Sequence, residues 1–294
     1  MTRRATRPLP DADPAPELTP GNTAWAAVMT ASKISAVAGV SPWESPLSVW
    51  HLLAGDIPPH GETAATTRGH RLEAALLAWW RDDHPNLTLT SGVTYRHRGE
   101  PWRAATPDGV AWHRTRGPVA LVEAKTDAGG GGWGAAGTSE IPLHYAAQVQ
   151  WQMDVTGVHH TTVVVLGPRL EFDVFEVPYD PDAATALRRE AVEFIASVEE
   201  GRPPPIDDSI ATYTTLRALH PDIDRDLTVT IDDQTADEVL AAGAARRVAE
   251  RGWRHAAARL AALMGDARTA VTTDGQPIAR RQPGPAGTPY VKLT

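Results

Sequence analysis

Apolar positions along this chain switch repeatedly between the two-residue spacing of half-buried strands and the three-to-four-residue spacing of amphipathic helices. Thr161-Thr162-Val163-Val164-Val165-Leu166 is the clearest strand, a continuous β-branched run suited to the middle of a sheet. Leu170–Val177, Leu87–Leu89 and Gly92–Tyr95 read as further short strands. Between Trp102 and Lys125 two more are predicted to pair across the turn-rich segment His113–Pro118. The spacing predicts helices over Met29–Val40, Pro46–Gly55, Thr67–Asp82, Leu143–Val155, Ala183–Glu200 and Thr235–Met264, several with proline at the first position or glycine past the last. Ala267–Arg281 reads as a hairpin turning at Asp274-Gly275. Residues 1–20 hold five prolines with little apolar content, which predicts a disordered tail. The expected organisation is therefore a tail over 1–20, an α/β domain over 21–205 and a mainly helical extension over 206–294 that ends in the hairpin. The fold expected is α/β, a sheet entered by a long helical segment.

The same patterns single out polar residues in apolar places. Alternation along Ala120-Leu121-Val122-Glu123-Ala124-Lys125 puts Leu121, Glu123 and Lys125 on one face and Val122 and Ala124 on the other. A carboxylate on a half-buried strand needs a cation or hydrogen bonds, and a divalent metal shared with Asp108 in Thr106-Pro107-Asp108-Gly109 would serve. A turn aspartate and a solvated Glu-Lys pair are the plainer alternative. In the predicted helix Thr67–Asp82, Leu76, Leu77 and Trp80 follow Glu73 at i+3, i+4 and i+7, so this acid lies on the apolar face. It either pairs with Arg71 or another base, or adds a third carboxylate to Asp108 and Glu123. Tyr145, Gln148 and Gln152 share one face of the following helix, and buried amides must find partners. The first turn of the helix near Thr30 and Ser32 offers free N–H groups, a hydroxyl and the Lys33 ammonium, which suit a phosphate, although an ordinary cap explains the same residues. Arg68 and His70 either meet a phosphate or lie in solvent. Four consecutive glycines, Gly129 to Gly132, lack the ending of a phosphate loop and read as a mobile loop. His159 and His160 are adjacent and point to opposite faces, so they read as a surface turn, not a metal pair.

Composition removes several function classes. Without cysteine there is no thiolate zinc site, iron-sulfur cluster, disulfide or cysteine nucleophile. No apolar run is long enough to cross a bilayer, and the Arg- and Pro-rich start lacks an apolar signal core, so a cytoplasmic protein without a membrane partner is expected. At 294 residues and 42% hydrophobic content the chain can bury a large core in one elaborated domain or two. A net charge of -8 argues against an all-basic surface, yet it leaves room for a nucleic-acid enzyme whose acids hold metals. Arg280, Arg281 and Lys292 make the end of the chain basic.

The succession Thr30-Ala31-Ser32, Ser41-Pro42-Trp43, Arg68-Gly69-His70-Arg71-Leu72-Glu73, Thr106-Pro107-Asp108-Gly109, Glu123-Ala124-Lys125 and Tyr145-Ala146-Ala147-Gln148-Val149-Gln150 resembles the YqaJ-type viral recombinase nucleases. These are relatives of phage lambda exonuclease within the PD-(D/E)XK superfamily. The resemblance spans roughly Trp25 to Pro205 and implies a restriction-endonuclease-like α/β core, with a mixed central sheet flanked by helices. By match to the family motifs, Asp108 and Glu123 would hold Mg²⁺, or Mn²⁺ as a substitute, with the Ala124 carbonyl, and Glu73 would complete the acidic set. Lys125 would be the catalytic lysine. Gln148 and Tyr145 match the glutamine-bearing helix, and Ser32 and Thr106 fall where the family places hydroxyls near the terminal phosphate. Family members often carry an arginine before the Thr-Ala-Ser segment; Trp25-Ala26-Ala27-Val28-Met29 has none, which leaves Lys33 or Arg68 as replacements, or a different recognition of the end.

The implied activity is a Mg²⁺-dependent exonuclease acting on double-stranded DNA ends, 5′ to 3′, in phage-type recombination in the host cytoplasm. The resemblance also implies a homo-oligomer and a single-strand annealing protein as partner. A related endonuclease and a noncatalytic module that binds DNA ends or a recombination partner are the alternatives.

Overall fold

The computed structural model describes residues 7–59, 61, 63–284 and 287–294. In chain order the elements are β1 (Ala12–Pro14), α1 (Thr23–Ala26), β2 (Met29–Thr30), α2 (Ala31–Val37), α3 (Pro46–Ala54), α4 (Ala64–Asp82), β3 (Leu87–Ser91), β4 (Tyr95–His97), β5 (Arg103–Ala105), β6 (Gly109–His113), β7 (Gly117–Thr126), α5 (Leu143–Thr156), β8 (His160–Leu166) and β9 (Phe172–Pro178). They continue with α6 (Pro181–Glu199), α7 (Ile210–Leu219), α8 (Asp233–Met264), β10 (Thr269–Val271), β11 (Pro277–Pro283) and β12 (Pro289–Leu293). Residues up to Ile223 form one compact unit and Asp224–Thr294 a second.

The first unit is a mixed α/β structure, as expected. Its main sheet has the order β3-β6-β7-β8-β9. Only β7 and β8 run parallel; the other neighbours are antiparallel. A parallel pair needs a crossover, and α5 is that crossover. The β-branched run of β8 lies near the middle, with Val163 and Val164 wholly buried, because both faces of the sheet are covered. Leu121, Val163, Phe175 and the α5 residues Val149, Trp151 and Met153 share one core. Val122, Ala120 and Val164 share the other with Leu76, Leu77 and Trp80 of α4. Strand alternation thus sends Glu123 and Lys125 toward α5, while α4 packs on the opposite face.

Several expectations change. The strand pair expected between Trp102 and Lys125 is interrupted: β5 joins a second sheet, β1-β4-β5-β2, and the chain, which left the main sheet after β3, returns to it only at Gly109. Thr106-Pro107-Asp108 is therefore the junction between two sheets. The tail expected over 1–20 is ordered from residue 7. Leu9, Ala12, Ala15 and Leu18 are buried, β1 pairs antiparallel with β4, and Asp11 N–H donates to Thr156 O at 3.1 Å. Prolines are tolerated there because β1 is an edge strand with a side that needs no donors. That approach also explains Gly157, which ends α5 at φ 69° and whose missing Cβ would lie 2.4 Å from Asp11 Oδ2. Residues 1–6 lie outside the described residues. The domain boundary expected at 205 moves outward, since Thr212 Oγ1 of α7 donates to Ser45 Oγ at the cap of α3 at 2.7 Å and both are buried.

In the second unit the expected long helix is present as α8. The predicted hairpin, β10 with β11, is extended by β12 into a three-stranded antiparallel sheet. Among the described residues no helix is long and apolar enough to cross a membrane.

Candidate active site

Four segments bring the predicted acids and amides of the first unit together. Glu123 and Lys125 come from β7, Asp108 from the junction between the sheets, Gln148 and Gln152 from α5, and Glu73 from α4 on the opposite side. Glu123 is 2% exposed, so each carboxylate oxygen needs a donor. Lys125 Nζ donates to Oε1 at 2.7 Å, Gln148 Nε2 to Oε1 at 2.5 Å and Gln152 Nε2 to Oε2 at 2.9 Å. Gln148 also accepts from Lys125 Nζ through its Oε1 at 3.2 Å, so one amide spans the ion pair. Asp108 Oδ2 accepts from the Ala124 N–H at 2.8 Å, which ties the junction to β7 between Glu123 and Lys125. The Lys125 ammonium lies 4.8 Å from the centre of the Tyr145 ring.

The charges at this point do not balance. Burial pushes Asp108 well above the usual carboxylate range, and the negative fields of Glu123 and Glu73 push it further against Lys125 and the Ala124 N–H. Glu73 is also raised, by burial first and then by Glu123, while His70 and Lys125 pull it back. Burial alone would lower Lys125, but Glu123 and Asp108 outweigh it and its affinity for a proton rises. Three carboxylates thus share one buried ammonium, and a bound cation would relieve them.

The donor set fits a hard divalent ion in kind. Among the described residues no three acidic or histidine side chains are gathered closely enough to hold an ion by themselves. Mg²⁺, however, is usually held by one or two carboxylates, with water and substrate phosphate oxygens completing the shell. Asp108 and Glu123 meet that requirement.

The residues expected around a phosphate separate into two groups. Tyr145 is beside Lys125, and burial raises its hydroxyl pKa. Thr106, two residues before Asp108, shares a 2.9 Å hydrogen bond with Thr94. Ser32 is exposed and 3.2 Å from Thr30 Oγ1, and Arg68 is exposed on α4. Lys33 is a correction. The residue is 3% exposed, and its ammonium donates to the carbonyls of Trp25, Ala26 and Val28 at 2.7, 3.0 and 2.6 Å, with the Trp25 ring centre 4.2 Å away. It closes the end of α1 and has no donor left for a phosphate. Burial pushes its pKa down to about 7.

Gln152 shares the predicted face of Gln148, and its bond to Glu123 makes it a member of the site that the family motifs alone do not supply. The glycine loop read as mobile is held at its edges: Asp127 Oδ1 accepts from the Gly129 N–H at 2.8 Å and Oδ2 from Trp133 Nε1 at 2.7 Å, which sets Trp133 against Tyr145 and Phe175. His159 and His160 form no metal pair. The first stacks on Tyr179, and the second is 2.6 Å from Glu176 Oε2.

Residues 23–159, which include Glu73, Asp108, Glu123, Lys125, Gln148 and Gln152, match the family model described as the YqaJ-like viral recombinase domain. Comparison with curated proteins gives no match. Similar solved structures include the alkaline exonuclease LHK-Exo from Laribacter hongkongensis. It is 19% identical over 64% of this chain and 94% of its own, with a TM-score of 0.46 alone and 0.48 in complex with dAMP. A phage-related exonuclease from Haemophilus somnus 129PT is 9% identical over 59% of this chain and 94% of its own, with a TM-score of 0.43.

Proposed function

We propose, from the match of residues 23–159 to the YqaJ-like viral recombinase domain, that the protein is a metal-dependent deoxyribonuclease. Its substrate is the end of double-stranded DNA, degraded 5′ to 3′ in phage-type recombination. The observation that carries this reading is the pair of buried Glu123 with Lys125, joined to Asp108 through the Ala124 N–H. A module that only bound DNA would gain nothing from carboxylates beside phosphates.

Hydrolysis of a phosphodiester needs an aligned water and relief of the charge that develops on the phosphoryl and leaving oxygens. Asp108 and Glu123, with the Ala124 carbonyl, would hold Mg²⁺ or Mn²⁺, which when bound supplies Lewis acidity and a water of lowered pKa, and Glu73 adds negative charge beside them. Lys125 acts as a cation and not as a proton acceptor, because its carboxylate neighbours raise its pKa. Its Nζ–H groups donate to the attacking water or to a phosphoryl oxygen. Gln148 and Gln152 hold Glu123 fixed by donating to both of its oxygens. Tyr145, Thr106, Ser32 and Arg68 line the approach of the DNA backbone in this reading. A homo-oligomer, a single-strand annealing partner and a place in the host cytoplasm belong to the same proposal.

The test compares linear duplexes, with and without a 5′ phosphate, against closed circles under Mg²⁺. Wild type degrades the linear DNA from its 5′ ends and spares the circles. Asp108→Ala, Glu123→Ala and Lys125→Ala lose that activity while keeping a folded circular-dichroism spectrum. Full activity in any of the three removes the assignment. Cleaved circles would make the protein an endonuclease, and binding without cleavage under Mg²⁺ or Mn²⁺ would make it a noncatalytic module.

A further inference from the structure

Ser41-Pro42-Trp43 belongs to the same domain but has no part in the acid cluster. Trp43 is 62% exposed, the most exposed of the large aromatic side chains in the first unit after Tyr213. Its position is nevertheless fixed. Ser41 Oγ accepts from the Trp43 N–H at 3.2 Å and from the Glu44 N–H at 3.1 Å, and the next residues close a capping box that starts α3. A large apolar ring held in solvent by a rigid turn gains nothing for the fold, so it needs a different account.

Its neighbours supply one. The His144 ring meets Trp43 edge-on, with centroids 4.7 Å apart at 86°, and the Tyr145 ring is 5.9 Å away at 42°. His144 and Tyr145 are 4.0 Å apart, and the Lys125 ammonium sits over Tyr145. Trp43 is thus the outer step of an aromatic stair whose inner step touches the proposed catalytic lysine. Edge-on and tilted contacts leave a ring face of Trp43 uncovered, unlike exposed Trp79, whose face is stacked flat on Phe172 at 4.2 Å and 7°. Burial and the Lys125 charge lower the His144 pKa, and its Nε2 is buried with no hydrogen-bond partner among the described residues. In a nucleic acid every phosphate is followed by a flat π-face within one nucleotide, and stacking on aromatic side chains is how unpaired bases are held without regard to sequence.

We propose that Trp43, backed by His144 and Tyr145, is the seat on which the nucleobase beside the scissile phosphodiester stacks, so that the site grips a frayed terminal nucleotide and not an intact base pair. This rests on the nuclease reading for the identity of the substrate. The geometry assigns the ring face to a base, since the acids and ammonium beside it suit the phosphate of the same nucleotide.

The test is a chemical double-mutant cycle on the full chain, with metal chelated so that nothing is cut. A blunt DNA duplex, labelled at one end, carries a normal or an abasic nucleotide at the other, and binding is read by fluorescence anisotropy. Trp43→Ala is expected to weaken binding of the normal duplex about 5- to 150-fold, which is ~1–3 kcal/mol per stacked base converted at ~1.4 kcal/mol per decade. Trp43→Phe retains most of the affinity. The abasic end costs wild type the same factor and costs Trp43→Ala nothing further, because the two changes delete the same contact. Equal abasic losses in both proteins, Trp43→Ala binding within about twofold of wild type, which is well short of one stacked base, or no binding by wild type would each overturn the seat. Base-dependent binding without any cleavage under Mg²⁺ sinks the nuclease reading and leaves the seat standing; cleavage indifferent to Trp43 does the reverse.

Discussion

Replacing Gln152 by leucine separates the stability of the site from its function. Gln152 is 0% exposed, donates to Glu123 Oε2 at 2.9 Å, and has an Oε1 with no partner among the described residues. Removing the donor forfeits a hydrogen bond to a charged acceptor, ~1.5–3 kcal/mol. Removing the buried, unpaired carbonyl oxygen returns a desolvation cost of similar size, ~1–3 kcal/mol. Leucine is close in volume and adds apolar burial, so the two effects nearly cancel and Gln152→Leu is expected to unfold in urea within ~1 kcal/mol of wild type. Activity does not share that cancellation. Glu123 keeps Lys125 and Gln148 on Oε1 but has no side-chain donor on Oε2, so the carboxylate is free to rotate. Loss of such an outer partner typically costs ~10–100-fold in metal affinity or rate. The expected result is a variant of near-normal urea midpoint whose initial rate on linear duplex falls by that factor and recovers in part at higher Mg²⁺. Full-rate cleavage, or a stability loss above ~3 kcal/mol, more than the bond itself is worth, would refute the reasoning.

Two further predictions concern the scaffold. Asp154, 7% exposed, pairs with Arg103, itself 2% exposed, and also accepts from Tyr179 OH at 2.7 Å and Arg188 Nη2 at 3.1 Å; Asp154→Ala is expected to cost ~3–5 kcal/mol in urea unfolding, whereas Arg103→Met with Asp154→Leu recovers most of it. Lys33 gives a pH signature of known sign. Its folded pKa is about 7 against 10.5 in the unfolded chain, so between those values the unfolded chain holds the extra proton and stability rises with pH. Wild type should gain ~3 kcal/mol between pH 7 and 10, and a Lys33→Met protein whose chemical unfolding shows the same slope would rule Lys33 out as its source.

How much of the site was legible depended on the distance over which each feature is decided. The shared face of Glu123 and Lys125 follows from the two-residue period of β7, and the shared face of Gln148 and Gln152 from the four-residue return of α5. Both are properties of a single element and survive any packing. Glu73 was legible for the same reason, beneath Leu76, Leu77 and Trp80 on one helical stripe. Lys33 was misjudged because the first turn of a helix says nothing about which carbonyls approach from outside, and here Trp25, Ala26 and Val28 claim all three donors. The ordered segment after residue 7 was missed because its pairing partner, β4, lies some eighty residues away, and proline content hid the buried Leu9, Ala12, Ala15 and Leu18. Nothing local to Arg103 or Asp154 announces their pairing.

By itself, then, the order of residues determined the main helices and the central strands, the α/β class of the first unit, and which side chains of those elements face inward, because backbone periodicity and chain stereochemistry act over a few residues. Tertiary structure alone decided the break between β5 and β6 that delivers Asp108 to the Ala124 N–H, the convergence of two glutamines on both oxygens of Glu123, and the placement of Trp43 beside His144 and Tyr145. Those contacts join elements far apart in sequence. Their geometry follows from how sheets and helices pack, and so does the excess of buried negative charge that makes this the candidate site.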